Sequence, residues 1–373
     1  MDLVVVESGA KAKTIQKYLG KNVIVRASNG HVQDLPNKGK DGSKALWSHT
    51  ASNLPDPPWS WTERSEKNVK KILSDARSKK VKRVLIATDP DREGEFIAWR
   101  LSELFSEFKE IKRITFNEIT KTAIRDALDE AGSIDMNLVD AAKVRRFMDR
   151  LIGYQASRFA RSWSLSSMGR VQTPALAFIV NREKVIQKFV TTPYWAVQAL
   201  ASGIDFRVCF HDRDDPLVWK DEKGKIDIHR TNSTDLAKKV FDSLKFEKQL
   251  LISNISLNTY KRRPKAAFTT DTLLQAAGSK YNWRPSNTMR VAQGLYELGH
   301  ITYMRTDSTR TSSSSREKAQ EKIISKWGKE LVGSGVGGGK PKSGIQDAHE
   351  AIRPTDPLIE LPGGLDESQI RLY

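Results

Sequence analysis

Cysteine is nearly absent from this 373-residue chain. Cys209 stands alone, which excludes an internal disulfide framework and any zinc module built on several cysteines. No apolar run approaches the roughly 18 residues that would span a bilayer. Met1 leads straight into DLVVVESG, which reads as a first strand rather than a secretory signal. These absences point to a soluble, intracellular protein. No G-x-x-x-x-G-K-[ST] element occurs, so machinery for hydrolysing nucleoside triphosphates is not visible. There is no internal repeat.

Basic residues, by contrast, are in excess. Lys plus Arg number 62 against 45 Asp plus Glu, a formal charge of +17 and a pI near 9.7. Such an excess suits a polyanion, most often nucleic acid, because each neutralised phosphate releases counterions. Ribosomal proteins and many thermophile enzymes share it, so charge alone does not decide. With 38% hydrophobic residues in periodic segments the chain can bury sizeable cores, and its length suggests about two to four domains.

LVVVE is suited to a buried strand, and SGAKAKTIQKYLG follows at helical spacing, with Ser8 to cap it and Gly20 to end it. NVIVRAS is a second strand, and residues 37–61 read as a long loop. The helix TERSEKNVKKILSDARS, strand VKRVLIATD, helix EGEFIAWRLSELF, strand IKRITFNEI and helix KTAIRDALDEAG complete an alternation. That is the pattern of an open, largely parallel sheet with helices on both faces. From Ala141 a basic helical stretch begins. Tyr194 to Leu257 reads as strands (YWAVQALAS, IDFRVCFH, QLLISNISLNTY) with one helix. TTDTLLQAAGSKYN and RPSNTMRVAQGLYELG then resemble a helix-turn-helix, HITYMRTDS reads as a short strand, and VGSGVGGGKPKSG as a flexible loop.

Within ATDPDREGEF, four carboxylates (Asp89, Asp91, Glu93, Glu95) fall in seven positions. Thr88 and Asp89 come at the carboxyl end of a strand, where α/β sheets bind ligands. If the segment stays extended, Asp89, Asp91 and Glu93 share one side. Hard oxygens suit Mg²⁺, which takes one or two carboxylates plus waters and phosphate. Glu7, which also ends a strand, could join them. The plainer alternative is an acidic helix start; the D-x-D-x-E spacing and the second strand-ending Glu favour the metal–phosphate site. Phe96 and Trp99 read as core. Lys11, near the start of the first helix, is placed for a phosphate.

VVVESGAKAKTI with ATDPDREGEFIAW resembles the Toprim domain of topoisomerases, bacterial-type primases and some nucleases. GHITYMRTDST, DAHEAIRPT and SSMGRVQTPAL resemble signatures of type IA DNA topoisomerases, in order over almost the whole chain; the Met of YMRTDS leans towards topoisomerase I rather than III. The resemblance implies a multidomain α/β protein: a Toprim (Rossmann-like) parallel sheet at 1–140, a basic helical DNA-binding domain at 141–192, a β-rich arch segment at 193–263, and a helix-turn-helix-like domain at 264–373 carrying the catalytic tyrosine. It implies that Tyr303 attacks a backbone phosphate of single-stranded or negatively supercoiled DNA, forms a 5′-phosphotyrosyl bond and reseals without ATP. Arg305, two residues on and on the same side of an extended strand, could grip the phosphate. By the same resemblance Glu7 transfers a proton, Lys11 stabilises charge, and His349 assists. Glu7, Asp89, Asp91 and Glu93 match Mg²⁺-associated acids. His31, Arg145, Arg146, Asp149, Arg150, Tyr154, Arg170 and Gln172 match DNA-binding positions. A monomer, cytoplasmic and chromosome-associated, is implied.

Gly9 stands where the family usually has Pro, and Met168 where a small residue is usual. The family also continues beyond a segment like LDESQIRLY, so a fragment or one half of a split enzyme is expected. Two rivals stay open: a different Toprim enzyme, such as a nuclease or primase, and a DNA-binding fragment unable to complete strand passage.

Overall fold

The computed structural model describes residues 1–36, 59–63, 65–260, 264–333 and 350–373. The expectations for His349, for 37–58 of the long loop and for the glycine-rich segment from 334 fall outside these. The described chain divides into two compact units, Met1–Arg170 with Arg263–Tyr373, and Val171–Arg262.

The first unit is built on four parallel strands: β1 (Asp2–Val6), β2 (Val23–Ala27), β5 (Arg83–Ile86) and β6 (Glu110–Arg113), in the order β2-β1-β5-β6. Two short strands, β3 (Gln33–Asp34) and β4 (Ser60–Trp61), pair antiparallel. Side chains alternate across the sheet. Val4, Val6, Val25 and Leu85 face one core with Ile15, Ile124, Leu295, Tyr296 and Tyr303. Leu3, Val5, Ile24, Val84 and Ile86 face another with Val69, Ile72, Ile97, Leu101 and Phe105. Leu3 through Val6 have no exposed surface, and each such side chain contributes about 1.5–3 kcal/mol on burial. Because both faces are covered, β1 reads as a continuous apolar run rather than an alternating one.

The helices follow from caps and stripes. Ser8 caps α1 (Gly9–Leu19), which ends at Gly20 in a positive-φ conformation. Val69, Ile72 and Ala76, spaced at three and four, seat α2 (Ser65–Ser78) on the sheet. Asp91 caps α3 (Arg92–Leu104), Thr120 caps α4 (Lys121–Asp129), and Asp135 caps α5 (Met136–Ser162). Trp59, Phe96 and Trp99 form an edge-to-face cluster beside Val139 and Ala142 of α5, with ring centroids 5.2–5.7 Å apart.

The second unit holds α6 (Gln172–Gln187), a hairpin of β7 (Gln198–Ala201) and β8 (Ile204–Arg207), and α7 (Thr234–Lys245). The expected strand QLLISNISLNTY does not form: these residues join no ladder among those described. β-Branched composition marks a segment that fits a pleated surface, but a strand also needs a neighbour to bond.

In the first unit again, α8 (Thr270–Tyr281) opens on a capping box and ends at left-handed Asn282. α9 (Pro285–Glu297) starts with Pro at its first turn. α10 (Ser313–Trp327) and α11 (Glu367–Leu372) follow. HITYMRTDS is not a strand: Ile301 through Met304 are buried, while Arg305 and Asp307 are exposed. It is held by a bridge from Ile301 to Pro354 and by the Tyr303 N–H donating to Asn117 O at 2.8 Å. The α/β architecture, with a parallel sheet, helical regions and a small antiparallel pair, agrees with the expectation.

Candidate active site

The site forms where β1 and β5 end. Glu7 follows β1 directly, and its Oε1 accepts the N–H of Asp89 at 2.8 Å, binding the two strand ends together. The Ser8 cap, accepting from Lys11 N at 3.3 Å, sets the first turn of α1. That turn buries Lys11, 1% exposed, and lays its ammonium against the Asp89 carboxylate.

Asp91 divides its oxygens between two tasks. Oδ1 accepts the N–H of Gly94 at 2.8 Å, starting α3, while Oδ2 accepts the Tyr303 hydroxyl at 2.5 Å and lies 3.5 Å from Arg305. Tyr303 is 2% exposed, its ring edge-on to Tyr296 at 5.3 Å. Glycine is required at 94, since a Cβ there would sit 2.1 Å from the Asp89 carbonyl.

Two of the carboxylates, Glu7 and Asp89, are costly to ionise. Burial first, and then the Asp89 charge, push Glu7 up to about 7, against the pull of Lys11. Burial likewise raises Asp89, with Lys11 opposing. The Tyr303 hydroxyl is raised by burial and by the charges of Asp89 and Asp91, Arg305 opposing. Burial works against the Arg305 charge, yet Tyr303, Asp91 and Asp89 outweigh it and hold the guanidinium ionised.

The acidic segment does not stay extended as expected. The Asp91 cap turns the chain into helix, and Glu93, in its first turn, lines the cavity over Glu7, Asp89 and Asp91 while pairing with basic residues at its edge. Glu93 lies 2.5 Å from Arg146 and 3.5 Å from His31. Glu95 is buried, and its Oε2 accepts from Arg113 at 2.8 Å, so it belongs to the framework. Among the described residues no three acidic, His or Cys side chains form a metal cage. Mg²⁺ does not need one, taking one or two carboxylates with waters and phosphate oxygens. Glu7, Asp89 and Asp91 fit that donor chemistry: hard oxygens around one cavity, with the charges of Asp89 and Asp91 disfavouring that of Glu7 and the charge of Asp91 disfavouring that of Asp89.

Beside this site a cavity of about 550 Å³ is lined by His31, Arg145, Arg146, Asp149, Arg150 and Tyr154, with Arg305. Arg146 is also bound to Asp34 at 2.7 Å, and Arg150 donates to Pro36 O at 2.8 Å and lies over the Tyr154 ring. Tyr154 is 51% exposed, so it is not a core residue. Burial and the adjacent Arg146 lower the His31 imidazole, while Glu93 opposes. Arg170 holds Asp149 at 2.8 Å. Gln172 opens α6 in the second unit and is exposed. Met168 is tied by backbone bonds to the Ser157 hydroxyl.

Three supports were missed in the sequence. Arg113 donates to the carbonyls of Ile86, Thr88, Asp89 and Ile114 besides Glu95. Arg353 joins Glu118 at 3.1 Å and Glu350 at 2.6 Å. Gly299, at φ +81°, passes so close to Ile119 O that a Cβ would lie 2.5 Å from it. β6 is Glu-Ile-Lys-Arg, so nothing in its pattern marks Arg113 out from the charges beside it.

A parallel sheet that gathers carboxylates at two adjacent strand ends defines a Toprim domain, and the Toprim family model matches residues 2–119. The DNA topoisomerase family model matches residues 133–373. The chain belongs to the type IA DNA topoisomerase family. Full-length topoisomerase I from Thermotoga maritima is similar to it at 32% identity and a TM-score of 0.73, over 95% of this chain and 55% of that one. The chain thus spans about half the length of that relative.

Proposed function

We propose that this chain carries the cleavage centre of a type IA topoisomerase, with Tyr303 as nucleophile. The observation that carries the reading is the Tyr303 hydroxyl held at 2.5 Å by Asp91 within the buried carboxylate group. The tyrosine oxygen bonds to a backbone phosphorus as the bond from phosphorus to the 3′ oxygen breaks. This leaves a 5′-phosphotyrosyl link and a free 3′-hydroxyl. Resealing reverses the exchange with no net loss of ester bonds, so no ATP is required.

Tyr303 must shed its proton as it attacks. Asp91, which accepts that hydrogen bond, takes the proton, and Glu7, raised to about 7, gives one to the departing 3′ oxygen; both transfers reverse on resealing. Arg305 and Lys11 are the cations placed to hold phosphate charge. Glu7, Asp89 and Asp91 would hold Mg²⁺, which supplies charge neutralisation between carboxylates and the DNA backbone. Glu93 acts instead through Arg146 and His31 to set the entrance of the α5 groove. Arg145, Arg146, Arg150 and Tyr154 receive the strand, the cations at phosphates and the tyrosine at a base, with Asp149 and Arg170 as neighbouring polar contacts; Gln172 is assigned to DNA on resemblance alone. His349 is retained as an assisting group on resemblance alone. DNA is the partner, single-stranded or negatively supercoiled, in a cytoplasmic, chromosome-associated setting; relaxation of negative supercoils is the activity of the whole enzyme.

A second reading, binding or cleavage without strand passage, is favoured by the 55% span of the Thermotoga maritima chain. The test is a single-stranded oligonucleotide labelled at its 3′ end, incubated with protein and Mg²⁺ and stopped with SDS. Label on the wild-type protein and none on Tyr303→Phe is the expected result. No label on either, with DNA still bound, would refute cleavage by this chain. Plasmid relaxation separates the two readings.

A further inference from the structure

Three cavities lie side by side in the first unit. The α5 groove and a cavity of about 640 Å³ over the carboxylates have His31, Glu93 and Arg305 in common. On its other side the second cavity shares Gly9 and Asn29 with a third, of about 360 Å³. This third cleft lies between the start of α1, the end of β2 and α2. It is lined by the apolar Ala12, Val25, Ala27 and Ile72, by Asn68 and Lys71, and by the Arg26–Asp75 ion pair, whose charges offset one another.

The saddle between the second and third cavities is low. Gly9 has no side chain, and a Cβ there would meet nothing within 4 Å. Asn29 and Gly30 both have positive φ, 62° and 89°, and turn the backbone after β2 away. Beyond the saddle, the solvent side of α2 is basic. Lys67 and Lys71 are exposed one turn apart, and Lys79, Lys80 and Lys82 follow the helix, all exposed. Lys70 is engaged by Glu66 and Arg26 by Asp75, but Lys67 and Lys71 enter no ion pair among the described residues.

We propose that the third cleft holds the DNA backbone on the far side of the scissile phosphate, so that the strand crosses the carboxylates and runs on over α2. The proposal rests on the reading of Tyr303 as the nucleophile. Continuity with the α5 groove specifies a single strand as the occupant, and the charge specifies its phosphates. Lys67 and Lys71 contact phosphate without reading sequence. Gly9, an unusual residue at a helix start, keeps the crossing open.

The experiment compares strand lengths, in a Tyr303→Phe background so that nothing is cut. A strand of about six nucleotides fits within the α5 groove, and one of about sixteen reaches past it. In Lys67→Gln/Lys71→Gln the longer strand is expected to bind roughly five- to tenfold more weakly. The slope of log affinity against log salt should fall by about 1.4, or about 0.7 per lost contact. Affinity for the short strand should be unchanged. Both lysines are exposed, and an unaltered melting curve verifies the fold. Lys238→Gln/Lys239→Gln on α7 removes equal charge elsewhere and should leave the long strand unaffected. Undiminished binding of the long strand, an equal loss at both lengths, or the same loss in the α7 control would each overturn the proposal. Adduct formation with Tyr303 restored is measured in parallel. Its absence from wild type would remove the nucleophile reading, whereas adduct with length-independent binding would remove only the track over α2.

Discussion

Replacing Arg113 by methionine removes a guanidinium that is 4% exposed and donates to Glu95 and to four main-chain carbonyls around the end of β5. Methionine fills most of the volume but leaves Glu95, itself 4% exposed, as a buried charge without its cation. Breaking a buried pair from one side costs about 3–5 kcal/mol. The expected loss of stability for Arg113→Met lies in that range, a large part of a domain's total. Glu95 Oε1 also accepts the N–H of Asp135 at 2.8 Å, and glutamine can keep that bond while discarding the charge. Arg113→Met/Glu95→Gln should therefore recover about 1–3 kcal/mol relative to the single variant. Urea unfolding followed by tryptophan fluorescence measures all four corners of the cycle. Because Arg113 Nη2 holds the Asp89 carbonyl at 2.9 Å, the adduct rate should also fall under conditions where the variant is fully folded. A loss below about 1 kcal/mol, or a strictly additive cycle, would refute the assignment of Arg113 as the support of the acidic turn.

Two further outcomes are expected. In metal-free protein, burial raises Glu7 to about 7 when folded, against 4.5 for an unperturbed glutamate; the folded state binds more protons between these limits, so stability falls as pH rises through them, by about 3 kcal/mol in all. Glu7→Gln should flatten that decline and exceed wild type at pH values above about 7, which melting curves on either side of the window check. Gly94→Ala places a methyl 2.1 Å from the Asp89 carbonyl and should slow adduct formation by about 100-fold or more through displacement of Asp89; near-wild-type single-turnover rates would show that the turn yields without harm.

The sheet was legible because β1, β2 and β5 are short apolar runs, and β1 and β5 each lead into a recognisable helix start. Ser8 and Gly20 bracket α1 as their chemistry requires. The pairing of Glu7 with the acidic turn followed from both ending strands, and Phe96 and Trp99 are core as read. The direction of Glu93 was not legible. Asp91 could continue a strand or cap a helix, and the choice depends on whether Gly94 can approach Asp89, a tertiary matter. Strand propensity misled at QLLISNISLNTY and HITYMRTDS, because residue preference says nothing of an available partner strand. Arg113 and Arg353 escaped notice since long-range ion pairs leave no periodic trace.

Asp91 has one more consequence. Its carboxylate is locked at one oxygen by the opening turn of α3 and presents the other to Tyr303. The aim of the Tyr303 hydroxyl is thereby set by a helix, one of the stiffest parts available, acting as a jig. Asparagine caps a helix as well as aspartate does, so an amide at this position keeps the jig but turns an N–H donor, in place of a charged acceptor, toward the tyrosine. At this residue, position and acidity can be separated by a single atom.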